Sequence, residues 1–161
     1  MARISDPLET YRKKRHFKTT PEPAGKRLRA SSKAPIFVIQ KYDASRLHYD
    51  FRIEAAGVLK SWVVPKGPST NPKDKRPAMP TEDHAMEYAK FEAVIPEGEY
   101  GAGPSIIWDA GTYRNLTEVP IEQGLRQGRI KIRLDGKKLK GGYALTRMSA
   151  RPARWLLAKD E

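Results

Sequence analysis

Short runs of β-forming residues recur along most of this 161-residue chain, and turn-forming residues separate them. Strands that are joined by tight turns pair with their neighbours in sequence, and a series of about eight can close on itself. The sequence therefore predicts a mainly β protein, a closed or nearly closed β-barrel of about eight strands with short peripheral helices. The predicted strands are PIFVIQKY (35–42), RLHYDFRI (46–53), GVLKSWVVP (57–65), two within SIIWDAGTYRNL (105–116) on either side of Asp109-Ala110-Gly111, RIKIRL (129–134), GGYALTRM (141–148) and RWLLAK (154–159).

Other stretches predict shorter elements and loops around this barrel. PIEQGLRQGR (120–129) predicts a short helix, and EDHAMEYAKFEAVIP (82–96) predicts a helical turn before a strand at 91–95. Residues 66–80 hold four prolines and are predicted to be a loop. The Gly-rich GEYGAG lacks the strand and helix of a dinucleotide site, so it is predicted to be a turn.

The stretch RLHYDFR (46–52) alternates polar and apolar residues without interruption. Because side chains of a strand point to opposite faces with a period of two, His48, Asp50 and Arg52 are predicted to share one face. A hairpin with Asp43–Ser45 as its loop would place Tyr42 opposite Arg46, Gln40 opposite His48 and Val38 opposite Asp50. Gln40 and Tyr42 would then lie on the polar face too.

Positive charge is concentrated at the amino terminus. The net charge is +12, and residues 1–33 carry ten Lys and Arg against three Asp and Glu, a surplus of +7. Such a surplus favours a polyanionic partner, usually nucleic acid, over a merely solvated basic surface. We therefore predict a basic arm (1–34) that wraps the domain or binds a nucleic-acid backbone, followed by one barrel domain (35–161).

Several classes of protein are excluded by what the chain lacks. It has no cysteine, so disulfides, thiolate zinc sites and cysteine nucleophiles are absent. It also lacks an apolar run near the roughly 20 residues of a membrane span, and its amino terminus has no signal-peptide stretch. A cytoplasmic protein is expected.

The polar row predicts a binding site rather than a solvated face. A histidine and an aspartate two residues apart can coordinate one divalent cation, and Arg52 can bind an anion next to it. Such an arrangement suits a phosphoryl group, on which negative charge develops during attack. We expect the row to line a concave pocket inside the small barrel. The alternative is a hydrogen-bonded His–Asp pair on an exposed strand.

Further candidates follow the hairpin. Lys66 and Arg76 flank the proline-rich loop and could close over a phosphate, or could simply be solvated. His84 could donate a proton to a leaving oxygen, since histidine ordinarily titrates near pH 6.5, or could be structural. Tyr88 could share its face or pack in the core.

Three stretches together resemble the 3′-phosphoesterase domain of bacterial DNA ligase D. They are FVIQKYDASRLHYDFRIEAAGVLKSWVVPKGPS, EDHAMEYAKFEAVIPEGEYGAG and the closing WLLAK, and the resemblance extends to the amino-terminal YRKKRHFKTTPEPAG. It implies a manganese-dependent β-barrel enzyme of non-homologous end joining that removes a 3′-terminal ribonucleoside and then the 3′-phosphate. The implied partners are 3′ ends of DNA or RNA–DNA primers, the ligase and polymerase modules of ligase D, and the Ku end-binding protein.

The resemblance also implies roles for individual residues. His48 and Asp50 would be metal ligands, Arg52 a phosphate contact, and His84 one of the residues around the scissile phosphate, where we expect it to protonate the leaving oxygen. The remaining positions would surround the scissile phosphate or support it: Lys66, Arg76, Tyr88, Arg15, Glu22 and Gln40.

One departure from the family pattern concerns the metal. The family has a histidine as third ligand where this chain has Tyr42, and a phenol ionises only near pH 10. The sequence therefore predicts a weakened metal site, unless His16 of the arm supplies the imidazole. The alternatives to an active enzyme are a weakened module that binds 3′ ends and a generic basic nucleic-acid-binding barrel.

Overall fold

The computed structural model describes residues 7–16, 34–43, 46–95 and 103–160. Within them are two short helices, one 3₁₀ turn (Met86–Lys90) and nine strands. The helices are α1 (Glu9–Lys13) and α2 (Ile121–Gln127). The strands are β1 (Ile36–Asp43), β2 (Leu47–Ala55), β3 (Val58–Val64), β4 (Arg76–His84), β5 (Ala93–Ile95), β6 (Gly103–Asn115), β7 (Arg129–Gly136), β8 (Lys140–Ala150) and β9 (Ala153–Lys159).

Eight of these strands close into an antiparallel barrel. The order around it is β1-β2-β3-β4-β9-β8-β7-β6, and β6 pairs with β1 to complete the ring. Strand β5 pairs with the first residues of β6 and lies outside the ring. The predicted mainly β barrel with short peripheral helices is confirmed, and so is a short helix within 120–129.

The barrel interior is apolar because one face of each strand supplies large hydrophobic side chains. The interior cluster draws on all eight barrel strands, and Phe37, Ile39, Phe51 and Ile53 are its members from β1 and β2. Burial of this surface is the main stabilising contribution to a fold of this size.

The β1–β2 hairpin differs from the prediction by one residue at each strand end. Tyr42 pairs with His48, and Gln40 pairs with Asp50, because the strands extend to Asp43 and begin again at Leu47. The predicted opposite partners were therefore wrong. Moving both strand ends by one residue changes the partners but leaves every side chain on its own face, so the predicted polar row is retained.

Two other predictions of local structure were wrong. Residues 76–80 of the predicted loop belong to β4, which extends to His84. The helical turn and the strand predicted within 82–96 are confirmed as the 3₁₀ turn Met86–Lys90 and β5. Proline lacks the N–H that a strand donates to its neighbour. Pro77 and Pro80 are nevertheless tolerated in β4, because the fixed φ of proline is compatible with a strand. Asp109-Ala110-Gly111 is the middle of one long strand, β6, and is not a turn.

Contacts with residues distant in sequence explain why Asp109 and Gly111, which are typical of turns, lie within strand β6. A Cβ at position 111 would lie 2.0 Å from the carbonyl oxygen of Asp135, so only glycine fits at this crossing. The buried Asp109 carboxylate accepts hydrogen bonds from the backbone N–H of Lys137 and Lys138 at Oδ1 (2.8 and 3.2 Å), and of Leu139 at Oδ2 (2.8 Å). It thereby holds the β7–β8 turn against the barrel.

Replacing Asp109 with alanine is expected to lower the free energy of unfolding by about 3 kcal/mol, since it leaves buried N–H donors unsatisfied. Chemical denaturation of the purified domain measures the change. Asp135→Ala is the matched control, because that side chain is 74% exposed, and it should change stability by less than about 0.5 kcal/mol. Equal stability of the two variants would contradict the role given to Asp109.

Neither helix in the described part of the chain has the length and apolar character needed to cross a membrane.

Candidate metal–phosphate pocket

The polar row lies on the outer face of the barrel wall, and the expectation of a pocket inside the barrel was wrong. Phe51 and Ile53, which alternate with the row in β2, belong to the interior cluster, so the row faces the other way. The row becomes concave because α1 and the 3₁₀ turn cover it from outside. These covering elements form a second apolar cluster with the wall, which includes Leu8, Tyr11, Val38, Tyr42, Tyr88, Phe91 and Ile95.

The cavity between wall and cover, which we call the metal–phosphate pocket, has a volume of about 270 Å³. It brings together most of the residues that the sequence nominated. Its polar and aromatic lining consists of Arg15, Tyr42, His48, Asp50, Arg52, Thr81, Glu82, His84 and Tyr88.

Arg52 is held rigidly at the base of the pocket. Its Nε donates to Oε1 of Gln40 (2.7 Å), its Nη1 to Oγ of Ser61 (2.8 Å) and its Nη2 to Oδ2 of Asp50 (3.2 Å). Its guanidinium also lies over the ring of Tyr88, 4.8 Å from the centroid. Within the described residues, three of its five N–H donors are thus committed, which leaves two that could bind an anion.

Gln40 connects the wall to its cover. Its Nε2 donates to the backbone carbonyls of Tyr88 (2.7 Å) and Phe91 (3.3 Å), while its Oε1 accepts the hydrogen bond from Nε of Arg52. The side chain is completely buried, so it supports the site without contacting a ligand.

His48 and Asp50 place a ring nitrogen and a carboxylate oxygen close together. Nδ1 of His48 lies 3.0 Å from the carbonyl oxygen of Arg46, which can only accept, so Nδ1 carries the hydrogen. In the neutral imidazole, Nε2 then has a lone pair, and it lies 3.6 Å from Oδ1 of Asp50. Two lone pairs at this distance are stabilised by a cation between them, and a backbone partner on the other nitrogen is the usual support of a metal-ligating histidine.

The pair fits a divalent cation through two protein ligands. Among the described residues, no group of three or more His, Asp or Glu could hold an ion. Tyr42, at the position predicted for a third ligand, also lines the pocket. The Tyr42 ring lies beside that of His48, with centroids 5.1 Å apart and planes inclined by 30°. Hard cations commonly use one or two protein ligands and complete their shell with water and phosphate oxygens.

His84 is a buried, neutral imidazole. Its Nδ1 donates to the carbonyl of Glu82 (2.9 Å), so Nε2 accepts from Nη2 of Arg15 (3.1 Å). Burial, and next the positive charges of Arg52 and Arg15, lower the pKa of His84 well below its usual range. In this geometry the predicted proton donor is therefore an acceptor at neutral pH.

Glu82 is a member of the site that the sequence reading missed. Its carboxylate is buried and accepts from Nζ of Lys14 (3.0 Å) and Nη1 of Arg15 (3.2 Å), which holds the end of α1 on the wall. Burial alone would raise the pKa of Glu82, but the hydrogen bond from Lys14 and the other donors lower it overall. Its position two residues before His84 would have been a signal if the segment had been recognised as a strand.

Tyr88 and Tyr11 form the aromatic cover of the pocket. The rings of Tyr88 and Tyr11 both meet the His84 ring edge to face, with centroid distances of 4.9 Å for Tyr88 and 5.1 Å for Tyr11. Arg15 lies over the Tyr11 ring at 4.1 Å. Tyr11 and Arg15 belong to the segment predicted as a basic arm, and residues 7–16 of that segment lie packed on the barrel.

The other nominated residues are not brought into the pocket. Lys66 is exposed after β3, and Arg76 lies at the start of β4, 3.7 Å from Asp74, and neither lines the cavity. His16 is exposed and is likewise absent from the lining of the pocket. Glu22 lies outside the described residues. The roles given to these four residues stay predictions.

Comparison with known proteins adds an independent finding. The family model for the DNA ligase D 3′-phosphoesterase domain matches residues 40–147. The multifunctional non-homologous end joining protein LigD of Pseudomonas aeruginosa is 48% identical over 158 residues, and its counterparts from Mycobacterium tuberculosis and Mycolicibacterium smegmatis are 44% and 43% identical. Each match covers 96% of this chain but only 19–21% of the relative, so the chain spans about a fifth of their length.

Proposed function

Because the chain belongs to the DNA ligase D 3′-phosphoesterase family, we propose that it is a manganese-dependent phosphoesterase acting on the 3′ ends of DNA or RNA–DNA primers. It would remove a 3′-terminal ribonucleoside and then the 3′-phosphate, and leave a hydroxyl. The observation that carries the proposal is the closeness of Nε2 of His48 and Oδ1 of Asp50, 3.6 Å apart, beside the buried guanidinium of Arg52.

Different side chains of the pocket would neutralise and orient the bound phosphate. A divalent cation, held by Nε2 of His48 and Oδ1 of Asp50, would supply positive charge to the phosphate oxygens. Arg52 would orient the phosphate, and its three fixed hydrogen bonds mean that little reorganisation is needed during the reaction. Arg15, which follows α1, would add a second guanidinium.

His84 would change its protonation state when the phosphate binds. Burial is the largest cause of the low pKa of His84, and the charges of Arg52 and Arg15 lower it further. A dianionic ligand that draws Arg15 away from Nε2 of His84 would offset those charges and free Nε2. Nε2 could then take up a proton and deliver it to the leaving oxygen. The proton-donor role thus depends on substrate binding.

The relatives are named for non-homologous end joining, and we extend that setting to this chain. Its substrates would be broken ends under repair, and its partners the ligase and polymerase modules and the Ku end-binding protein.

A second candidate function is favoured by Tyr42. With a phenol in place of the third ligand, the domain would bind 3′ ends and turn them over slowly or not at all. The deciding experiment is phosphate release from a 3′-phosphorylated primer with manganese or with a chelator. Release that requires manganese is expected. A folded protein that binds the primer but releases no phosphate at any manganese concentration would favour the binding module.

The basic arm predicts a strong salt dependence of nucleic-acid binding. Removing the whole arm would also remove Arg15 and dismantle the pocket, so we choose the triple change of Lys26, Arg27 and Arg29 to glutamine. If each contacts one phosphate, the slope of log affinity against log salt should flatten by about 0.9 per contact on duplex DNA. Fluorescence anisotropy across a salt series measures it.

The control makes the same charge change on the exposed face of β7, by replacing Arg129, Lys131 and Arg133 with glutamine. It should flatten the slope less. Equal slopes for the two triple variants would mean that the arm makes no privileged contact with the backbone.

A further inference from the structure

A second cavity, distinct from the metal–phosphate pocket, lies where α2 meets β3, β4 and β9. Its volume is about 460 Å³, within the roughly 300–1,000 Å³ of small-molecule sites. We call it the tryptophan cavity, because Trp62 of β3 and Trp155 of β9 line it. Nothing in the proposed phosphate chemistry uses it.

The two tryptophans contribute apolar lining, and Trp62 carries an unsatisfied donor. Both side chains are more than nine-tenths buried, and their rings meet at 68° with centroids 5.6 Å apart. Nε1 of Trp62 is buried without a hydrogen-bond acceptor among the residues that the structure describes. Since indole nitrogen can only donate, a ligand that satisfies it must carry an acceptor such as a carbonyl oxygen.

The charged residues around the cavity balance each other. Lys60 and Arg126 are matched by Asp83 and Glu122, and Nζ of Lys60 lies 2.9 Å from Oδ2 of Asp83. Two carboxylates would repel a phosphate, so the lining does not favour an anion. It favours a neutral group that can both donate and accept hydrogen bonds.

We propose that the tryptophan cavity binds a nucleobase. A base is planar with apolar faces that suit an aromatic lining, its carbonyl oxygen can accept from Nε1 of Trp62, and its edge offers donors and acceptors to the balanced charges. The assignment of this base to the strand being processed rests on the proposed function. The two sites are neighbours, because Thr81 lines both and Ser61, which lines the cavity, binds Arg52.

The test uses the indole N–H resonances of the three tryptophans in the ¹⁵N-labelled protein. Single-stranded oligothymidylate of five nucleotides is titrated without metal, beside a five-residue abasic oligonucleotide with the same phosphates. The chemical shift of the Trp62 indole N–H should change when oligothymidylate is added and should not change when the abasic strand is added. The shift of Trp108, which does not line the cavity, should change with neither. An unmoved Trp62 resonance at saturating oligothymidylate, or an equal shift with the abasic strand, would overturn the proposal.

Two substitutions give an independent readout as dissociation constants. Trp62→Phe keeps a ring but removes the donor and should weaken oligothymidylate binding about three- to tenfold. Arg126→Ala, an exposed change that spares the core, should weaken it as well, whereas Arg129→Ala removes the same charge outside the cavity and should have little effect. Equal affinities of the Arg126 and Arg129 variants would count against the site, even if Trp62→Phe proved unstable.

Repeating the titration in Asp50→Ala separates this inference from the proposed function. The Trp62 shift should persist there, because Asp50 does not line the tryptophan cavity. If the wild-type protein released no phosphate, a persistent shift would still support base binding. Loss of the shift in Asp50→Ala would show that it reports on the other pocket.

Discussion

Replacing Asp50 with alanine is expected to lower manganese affinity by at least about 100-fold, to the point where calorimetry detects no binding. Losing even an outer partner of a metal ligand costs 10–100-fold, and Asp50 would be one of only two protein ligands. Oδ1 of Asp50 lies 3.6 Å from Nε2 of His48, and no third carboxylate or imidazole in the described part of the chain completes the group. Isothermal titration with manganese is the measurement.

The folding of this variant has to be controlled, because Oδ2 of Asp50 also accepts from Arg52 (3.2 Å). Asp50→Asn keeps an oxygen acceptor for Arg52 while removing the charge that the cation requires, so it should fold normally and still lose the metal. Asp135→Ala removes an exposed carboxylate and should bind manganese as the wild type does. Unchanged affinity in both Asp50 variants would refute the assignment of Asp50 as a ligand.

Replacing Tyr42 with histidine is expected to raise manganese affinity and 3′-phosphoesterase turnover at least about tenfold. Tyr42 pairs directly with His48 across the hairpin, and their rings are 5.1 Å apart, so an imidazole at 42 could reach the same ion. Neutral imidazole binds such cations without losing a proton, whereas a phenol has to ionise first. Phosphate release across a manganese titration, with wild type and variant side by side, measures the gain.

Tyr42→Phe is the matched control, since it removes the hydroxyl without adding a nitrogen. It should leave manganese affinity unchanged if the phenol is not a ligand. A loss of affinity in Tyr42→Phe, together with no gain in Tyr42→His, would mean that the phenol already serves the metal. Tyr42 is buried in the outer apolar cluster, so either substitution could change stability. Thermal melting of both variants should therefore be measured as a control.

The sequence by itself determined which residues share a face. The period of two in RLHYDFR places His48, Asp50 and Arg52 together whatever the exact turn, and the hairpin kept this row although its ends lie one residue from the prediction. Local alternation is set by backbone geometry, so it survives errors in register that preserve the faces. The runs that became β1, β2, β3, β7, β8 and β9 were recognisable for the same reason.

Local signals failed where distant residues override them. Asp109-Ala110-Gly111 has the composition of a turn, yet Asp109 bonds the β7–β8 turn and Gly111 makes room for the backbone of Asp135. Glu82 and His84 lie on a strand whose prolines suggested a loop. The conformation of these residues is determined by contacts with residues far along the chain, which short-range sequence patterns do not encode.

Only the tertiary structure decided which side of the barrel wall carries the site. Alternation separates a polar face from an apolar one, but it does not say which faces inward until the whole barrel closes around Phe37, Phe51 and their neighbours. The polar row was thereby directed outward, where it would have remained a solvated face. It became a pocket because α1, from a segment that reads as a basic arm, packs over it and is held by Arg15 and Lys14 on the buried Glu82, a contact between residues 67 or more positions apart.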